Sequence, residues 1–162
     1  GTWNVRTMTP GFSQNLQDID DARKTAVIDK ELHRLNMDIV GLQETRLADS
    51  GSVREEHFTF FWHGKPAGEP REHGVGFAVR NSLMSSIVQP SEGTERILAL
   101  KLNTPAGLAN LISAYAPTLT SQDDAKDKFY DELGTTLSHC PPKEFLYILG
   151  DFNARVGADH QS

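Results

Sequence analysis

One cysteine, Cys140, stands in a chain of 162 residues, so no internal disulfide is available. That fits a reducing compartment. No apolar run approaches the roughly 20 residues of a membrane-spanning helix; the longest, such as Phe145 to Leu149, are strand-sized, and no membrane partner is expected. A basic excess is also missing. Sixteen Lys and Arg face 22 Asp and Glu, a formal charge of -6, which argues against a broad sequence-independent nucleic-acid surface. Nucleic acid stays open as a substrate, because metal-assisted phosphodiester cleavage needs carboxylates at its centre and cations only along its rim. His33, His57, His63 and His139 show no metal spacing of the H-E-x-x-H kind. No Ser or Cys nucleophile constellation appears, nor any internal repeat, linker or low-complexity tract.

What is present reads as one mixed α/β domain over residues 1–162, long enough to bury a core unaided. Gly1 to Val5 is β-prone, and Met8 to Asn15 is a loop with Pro10, Gly11 and Ser13. From Asp18 to Leu35 the period becomes 3.6, with Ile28, Leu32 and Leu35 on one face, an acidic start and Asn36 as the stop. Asp38 to Gln43 is a strand buried on both faces. Phe58 to Trp62 and Gly74 to Arg80 are further strands around an exposed loop, Lys65 to His73. Arg96 to Leu102 and Leu108 to Ala116 form a hairpin through Asn103 to Gly107. Ser121-Gln122-Asp123-Asp124 has the form of a capped helix start, and Phe129, Leu133 and Leu137 carry that helix until Pro141-Pro142. Phe145 to Gly150 is expected to be another buried strand.

Polar residues collect at the carboxyl ends of these strands: Asn4, Glu44, Tyr115 and Asp151. In layered α/β proteins that edge binds ligands, because strand ends fan out there and loops surround the site. Asp151 and Asn153, two apart, present side chains to one side if the extended backbone continues between them. Two carboxylates, two amides and a phenol suit hard-cation phosphate chemistry, in which Mg²⁺ or Mn²⁺ keeps several waters and bridges to a phosphate oxygen. Each residue also has a plainer reading: Glu44 as a solvated acid, Tyr115 as a half-buried aromatic, Asn4 as a turn former. His73-Gly74-Val75-Gly76 reads as a strand entry that needs small residues, and Cys140 as inert. Arg46, Lys65, Arg71, Arg80 and Arg155 lie in or beside loops and could line a phosphate groove or simply be solvated.

Thr2-Trp3-Asn4-Val5-Arg6, Leu42-Gln43-Glu44-Thr45-Arg46, His73-Gly74-Val75-Gly76-Phe77, Tyr115-Ala116-Pro117 and Gly150-Asp151-Phe152-Asn153-Ala154-Arg155 occur in an order that resembles the endonuclease/exonuclease/phosphatase superfamily. The wording is most similar to the endonuclease domain of non-long-terminal-repeat retrotransposons and to craniofacial-development-protein-like sequences. The resemblance implies a four-layer α/β sandwich of two packed mixed β-sheets flanked by helices, with the site across their shared edge. It implies that Glu44 binds the metal, Mg²⁺ or Mn²⁺, with Asn4 beside it in the metal and phosphate shell. Tyr115 would contact the scissile phosphate, Asp151 would align or deprotonate the attacking water, and Asn153 would hydrogen-bond the phosphate and that aspartate. Arg46 and Arg155 are candidate substrate-binding residues. The substrate would be DNA, nicked to a 3′ hydroxyl and a 5′ phosphate, and the location nuclear.

The chain begins at Gly1 without a methionine and ends in a polar stretch, Ala158 to Ser162, so truncation at both ends is expected. Family members continue past the G-D-x-N motif to a terminal Asp-His pair. Asp159-His160 lies only eight residues after Asp151, too near to be that pair, and is read as a chance match. Three functions therefore compete. The first is a metal-dependent DNA endonuclease domain. The second is a phosphatase or abasic-site nuclease of the same superfamily. The third is a catalytically incomplete fragment that acts as a binding module or remnant, and self-associates through an uncovered apolar face.

Overall fold

The computed structural model describes residues 1–9 and 24–153, without the side chains of residues 89–92. Two mixed β-sheets pack face to face, with one helix on the outside of each. In the first sheet the order is β1 (Thr2–Asn4), β2 (Ile39–Gln43), β5 (Val75–Arg80), β4 (Phe58–His63), β3 (Ser50–Arg54). Only the β1–β2 pair is parallel. The second sheet runs β6 (Ile87–Gly93), β7 (Ile97–Thr104), β8 (Gly107–Tyr115), β9 (Phe145–Asp151), with β8 and β9 parallel. The parallel pairs follow from the two crossover helices, α1 (Lys24–Arg34) before β2 and α2 (Asp123–Ser138) before β9.

Strand alternation builds three apolar layers. Val40, Leu42, Phe58, Phe60 and Ala78 face Ile28 and Leu32 of α1. Val75, Phe77, Val79, Leu98, Leu100 and Leu111 meet between the sheets. Ile97, Ile112 and Ala114 face Phe129 and Leu133 of α2. Because successive side chains point to opposite faces, β5 and β8 each serve two layers at once, which is why both are buried along nearly their whole length. The expected four-layer sandwich is therefore the architecture observed.

Between the sheets lies a polar bridge. Gln43 and Ser113 are both fully buried. The Gln43 Nε2 donates to Ser113 Oγ at 3.2 Å, and Ser113 Oγ donates to the Leu42 carbonyl at 3.1 Å. Thr2 Oγ1 completes it by donating to Gln43 Oε1 at 3.0 Å. Gly41 lets the sheets approach here: a Cβ on it would lie 2.9 Å from Leu149 Cβ and 3.3 Å from Ser113 Oγ. The bridge sits one residue below Glu44 on β2 and two below Tyr115 on β8, so it sets the spacing of the strand ends.

Several local expectations change. Within the described residues the first helix covers Lys24–Arg34, and the acidic start that was expected lies outside them. Its stop is as expected: Asn36 is left-handed (φ 53), its N–H donates to His33 O, and Met37 N–H donates to Leu32 O, a Schellman ending. The second helix is capped differently. Its N-cap is Gln122 with no side-chain bond, and the Ser121 hydroxyl instead lies 3.0 Å from Thr118 Oγ1; Asp123 and Asp124 in the first turn face the positive helix end. β3 and β6 and a 3₁₀ turn at Asn81–Ser86 were not expected from the sequence. β3 is a polar edge strand, and β6 carries Pro90 and two register shifts, so neither has an apolar alternation to read. Phe145 to Ile148, expected to be buried, are 39–52 % exposed, because β9 is the outermost strand of its sheet.

Candidate active site

All four strand-end residues meet at one edge shared by the two sheets. β1 and β2 bring Asn4 and Glu44; β8 and β9 bring Tyr115 and Asp151, which are direct register partners. A continuous chain of hydrogen bonds joins them. The Tyr115 hydroxyl donates to Glu44 Oε1 at 2.8 Å, and Asn4 Nδ2 donates to the same oxygen at 3.1 Å and to Asp151 Oδ2 at 3.3 Å. Asn4 Oδ1 is held by the Arg6 N–H at 3.0 Å, so its amide group faces both carboxylates. Asn153 fastens the other side: its N–H donates to Asp151 Oδ1 at 3.0 Å, and its Nδ2 donates to the Ala116 carbonyl at 2.7 Å. A groove of about 390 Å³ opens beside these residues, between Thr2 to Asn4 on one wall and Gly150 to Asn153 on the other.

Backbone geometry turns the strands over at this edge. Arg6, Glu44, Arg46, His73 and Asn153 all have φ between 46° and 61°. Outside Asn, each left-handed residue costs roughly 1–2 kcal/mol, and such strain clusters where side-chain placement matters. The reversal at Glu44 ends β2 and brings its carboxylate to Tyr115. Gly74 (φ 92) crosses tightly under Thr45, where a Cβ would lie 2.3 Å from Thr45 Oγ1, and Gly76 would meet the Phe61 carbonyl. The small residues of H-G-V-G are thus a strand entry, as expected.

The electrostatics follow from this packing. Partial burial works to raise the Glu44 pKa, but the hydrogen bonds from Asn4 and Tyr115 and the charges of Arg46 and Arg6 outweigh it, and the carboxyl sits below its ordinary value. Burial, with the hydrogen bond to Glu44 and that carboxylate's charge, pushes the Tyr115 phenol up to about 12. Its hydroxyl is therefore a donor at every physiological pH. Burial, then the charges of Arg96 and Lys65, pushes His73 below the usual imidazole range. Burial also raises the Cys140 thiol, in keeping with an inert cysteine.

Of the expected cationic residues, Arg46 reaches the site, with Nη2 3.5 Å from Glu44 Oε2. Arg155 and Asp159-His160 lie outside the described residues. Arg80 is elsewhere, at the opposite end of β5, where it pairs with Asp38 and stacks on Phe58. Lys65 pairs with Glu72. One residue at the site, Arg96, was not singled out from the sequence. Arg96 donates from Nη1 to the Tyr115 carbonyl at 3.0 Å, and its Nη2 lies 3.3 Å from His73 Nε2. The hairpin register could have found Arg96, since a strand starting there and returning at Tyr115 places the two opposite each other.

The donors fit a hard divalent cation. Glu44 and Asp151 offer carboxylate oxygens and Tyr115 its hydroxyl oxygen, whereas Asn4, expected in the metal shell, turns its Nδ2 to both carboxylates and its Oδ1 to the Arg6 N–H, so in this geometry it steadies the carboxylates and offers no ligand oxygen. Among the described residues no set of three His, Cys, Asp or Glu side chains converges. Mg²⁺ binds through one or two carboxylates and substrate phosphates while keeping its own waters, so Glu44 with a phosphate suffices to hold it.

Comparison with known proteins gives the family and the fold. Residues 1–160 match the profile of the Endonuclease/Exonuclease/phosphatase family. Craniofacial development protein 2 of Bos taurus is 28% identical over 158 residues, 98% of this chain, but this chain spans only 24% of that protein. The fold also superposes on the endonuclease domain of TRAS1, a telomere-specific non-LTR retrotransposon, with a TM-score of 0.56 at 18% identity, covering 82% of this chain and 54% of that one. D. rerio TDP2 complexed with a single-strand DNA product gives a TM-score of 0.60 at 15% identity, covering 96% and 60%.

Proposed function

Because the chain belongs to the Endonuclease/Exonuclease/phosphatase family, we propose that it is a divalent-metal-dependent endonuclease domain that nicks DNA in the manner of a retrotransposon endonuclease. The observation that carries the reading is the hydrogen-bonded chain Tyr115–Glu44–Asn4–Asp151 across the two sheet edges. Such an array sets two carboxylates and a phenolic donor around one small volume, which supports metal-assisted phosphodiester hydrolysis.

Glu44 would hold Mg²⁺ or Mn²⁺, with the Asn4 Nδ2 steadying its carboxylate. Bound there, the metal neutralises charge on a phosphate oxygen. The Tyr115 hydroxyl, which donates its one proton to Glu44 Oε1 in the free chain, would turn that proton to the phosphate once Glu44 holds the metal. Asp151, fixed by Asn4 and by the Asn153 N–H, accepts a hydrogen bond from the attacking water and takes its proton. Asn153 holds both Asp151 and the end of β8, and its amide borders the groove where the phosphate would lie. Arg46 and Arg155 would contact the flanking strand. The DNA substrate is supported by the likeness to the retrotransposon endonuclease fold and to TDP2 complexed with single-strand DNA product, and a nuclear location is proposed with it.

The exposed apolar residues of β9 favour a second reading, in which the chain acts as a binding module that associates through Phe145 to Ile148. The experiment uses a nicked-duplex readout: the protein with Mg²⁺ is given a labelled duplex, and the new ends are tested for extension by a polymerase and for free phosphate. Extendable 3′ hydroxyls, lost in Glu44→Ala and Asp151→Ala, are expected. Release of inorganic phosphate without strand cleavage would replace the reading with a phosphatase. No reaction from a folded chain would favour the binding module.

A further inference from the structure

Arg96 heads β7 directly across the hairpin from the last residue of β8, and the Tyr115 N–H donates to the Arg96 carbonyl at 2.8 Å. Its side chain folds back over the same residue. Besides the bond to the Tyr115 carbonyl, the guanidinium carbon lies 5.5 Å from the Tyr115 ring centroid. Nη2 reaches His73, whose ring is tilted at 47° against Tyr115 with the centroids 6.0 Å apart. The turn is itself fixed: the Arg96 N–H donates to Thr94 Oγ1 at 3.2 Å, and the Gly74 N–H donates to the Glu95 carbonyl at 2.9 Å. Among the described residues Arg96 forms no ion pair with an acid, although it is half-buried. Its fork is committed to Tyr115 and His73.

We propose that Arg96, braced by His73, is the positioning residue that aims the Tyr115 hydroxyl at the reacting phosphate. The inference rests on the reading of Tyr115 as a phosphate contact. Among the described residues the hydroxyl is held by a single side chain, Glu44, which must also serve the metal; the ring's direction therefore depends on what grips its face and its backbone, and Arg96 grips both. A misplacement of about 1 Å at a reacting group costs up to roughly a hundredfold in rate.

The test is a cycle of variants in the nicking reaction: Arg96→Met, Arg96→Lys, Tyr115→Phe, and Arg96→Met with Tyr115→Phe. Arg96→Met is expected to lower kcat about tenfold or more while KM stays within about twofold, with Arg96→Lys recovering only part. The double variant should be no slower than Tyr115→Phe alone, because Arg96 acts through the hydroxyl already removed. A double variant slowed by the product of both effects, or a rise in KM with kcat intact, overturns the proposal. If Arg96→Met does not fold, Arg96→Lys carries the same comparison. A second readout needs no activity. The protein has three tyrosines, and Tyr130 and Tyr147 are more than half exposed whereas Tyr115 is buried. With ¹³C-labelled tyrosine, the ring resonance missing from Tyr115→Phe should shift in metal-free Arg96→Met. An unmoved resonance overturns the positioning role. A wild-type chain that does not nick sinks the nuclease reading, and a shifted resonance then upholds only that Arg96 orients the Tyr115 ring.

Discussion

Replacing Ser113 by alanine removes one oxygen from a place where nothing can replace it. Ser113 and Gln43 are fully buried, so in Ser113→Ala the Gln43 Nε2 loses its acceptor and no solvent reaches it. A buried donor left without a partner costs about 1–3 kcal/mol. The Leu42 carbonyl loses a donor as well, but it lies within a strand paired on both sides, so its share is small. A total of about 2 kcal/mol is expected, which in a domain of this size lowers Tm by about 4–8 °C. Urea denaturation followed by tryptophan fluorescence reads it, with the slope m unchanged. Adding Gln43→Leu removes both partners; only the part-exposed Thr2 hydroxyl then needs water, so the double variant should recover much of the loss. Activity should fall more than stability explains, since Glu44 and Tyr115 ride one and two residues beyond the bridge. A loss under about 0.5 kcal/mol, or a double variant as unstable as the sum of the singles, refutes the reasoning.

Other outcomes follow from the same geometry. Gly41→Ala puts a Cβ 2.9 Å from Leu149 Cβ and is expected to destabilise by about 1–3 kcal/mol, read in the same urea titration. Asn36→Gly should stabilise by a few tenths of a kcal/mol up to about 1 kcal/mol, and Asn36→Ala destabilise, because φ is 53° at the helix end; thermal melts decide the order. His73 is held below its ordinary value, so the unfolded chain takes up the proton first. Its contribution leaves stability untouched above the unfolded pKa of about 6.5 and lowers it as pH falls below that, levelling off below the folded pKa. Stability measured from pH 7.5 to 5.5 should therefore fall less in His73→Gln than in wild type.

How far the sequence reaches can be seen residue by residue. Asn4, Glu44, Tyr115 and Asp151 were legible because each is a polar residue closing a β-prone or apolar run, and strand ends on one side of a layered sheet converge. The four layers were expected only from the family resemblance; the residues themselves read as a mixed α/β class, and the burial of β5 and β8 on both faces came from the structure. Arg96 was within reach of the hairpin register yet carried no motif of its own. β3 and β6 were not readable, since edge strands need no apolar face and tolerate Pro90. The exposure of Phe145 to Ile148 was misread because burial depends on which neighbour lies alongside, and a run of apolar residues looks the same at the centre of a sheet and at its rim.

The most direct measurement is conversion of supercoiled plasmid to open circles by this chain in Mg²⁺, beside Glu44→Ala and a chelator. Nicking by the wild type that disappears in both controls, while Glu44→Ala keeps the wild-type circular dichroism, is the predicted result. Nicking that persists in folded Glu44→Ala, or with the metal removed, would contradict a metal-dependent site built around the shared edge of the two sheets.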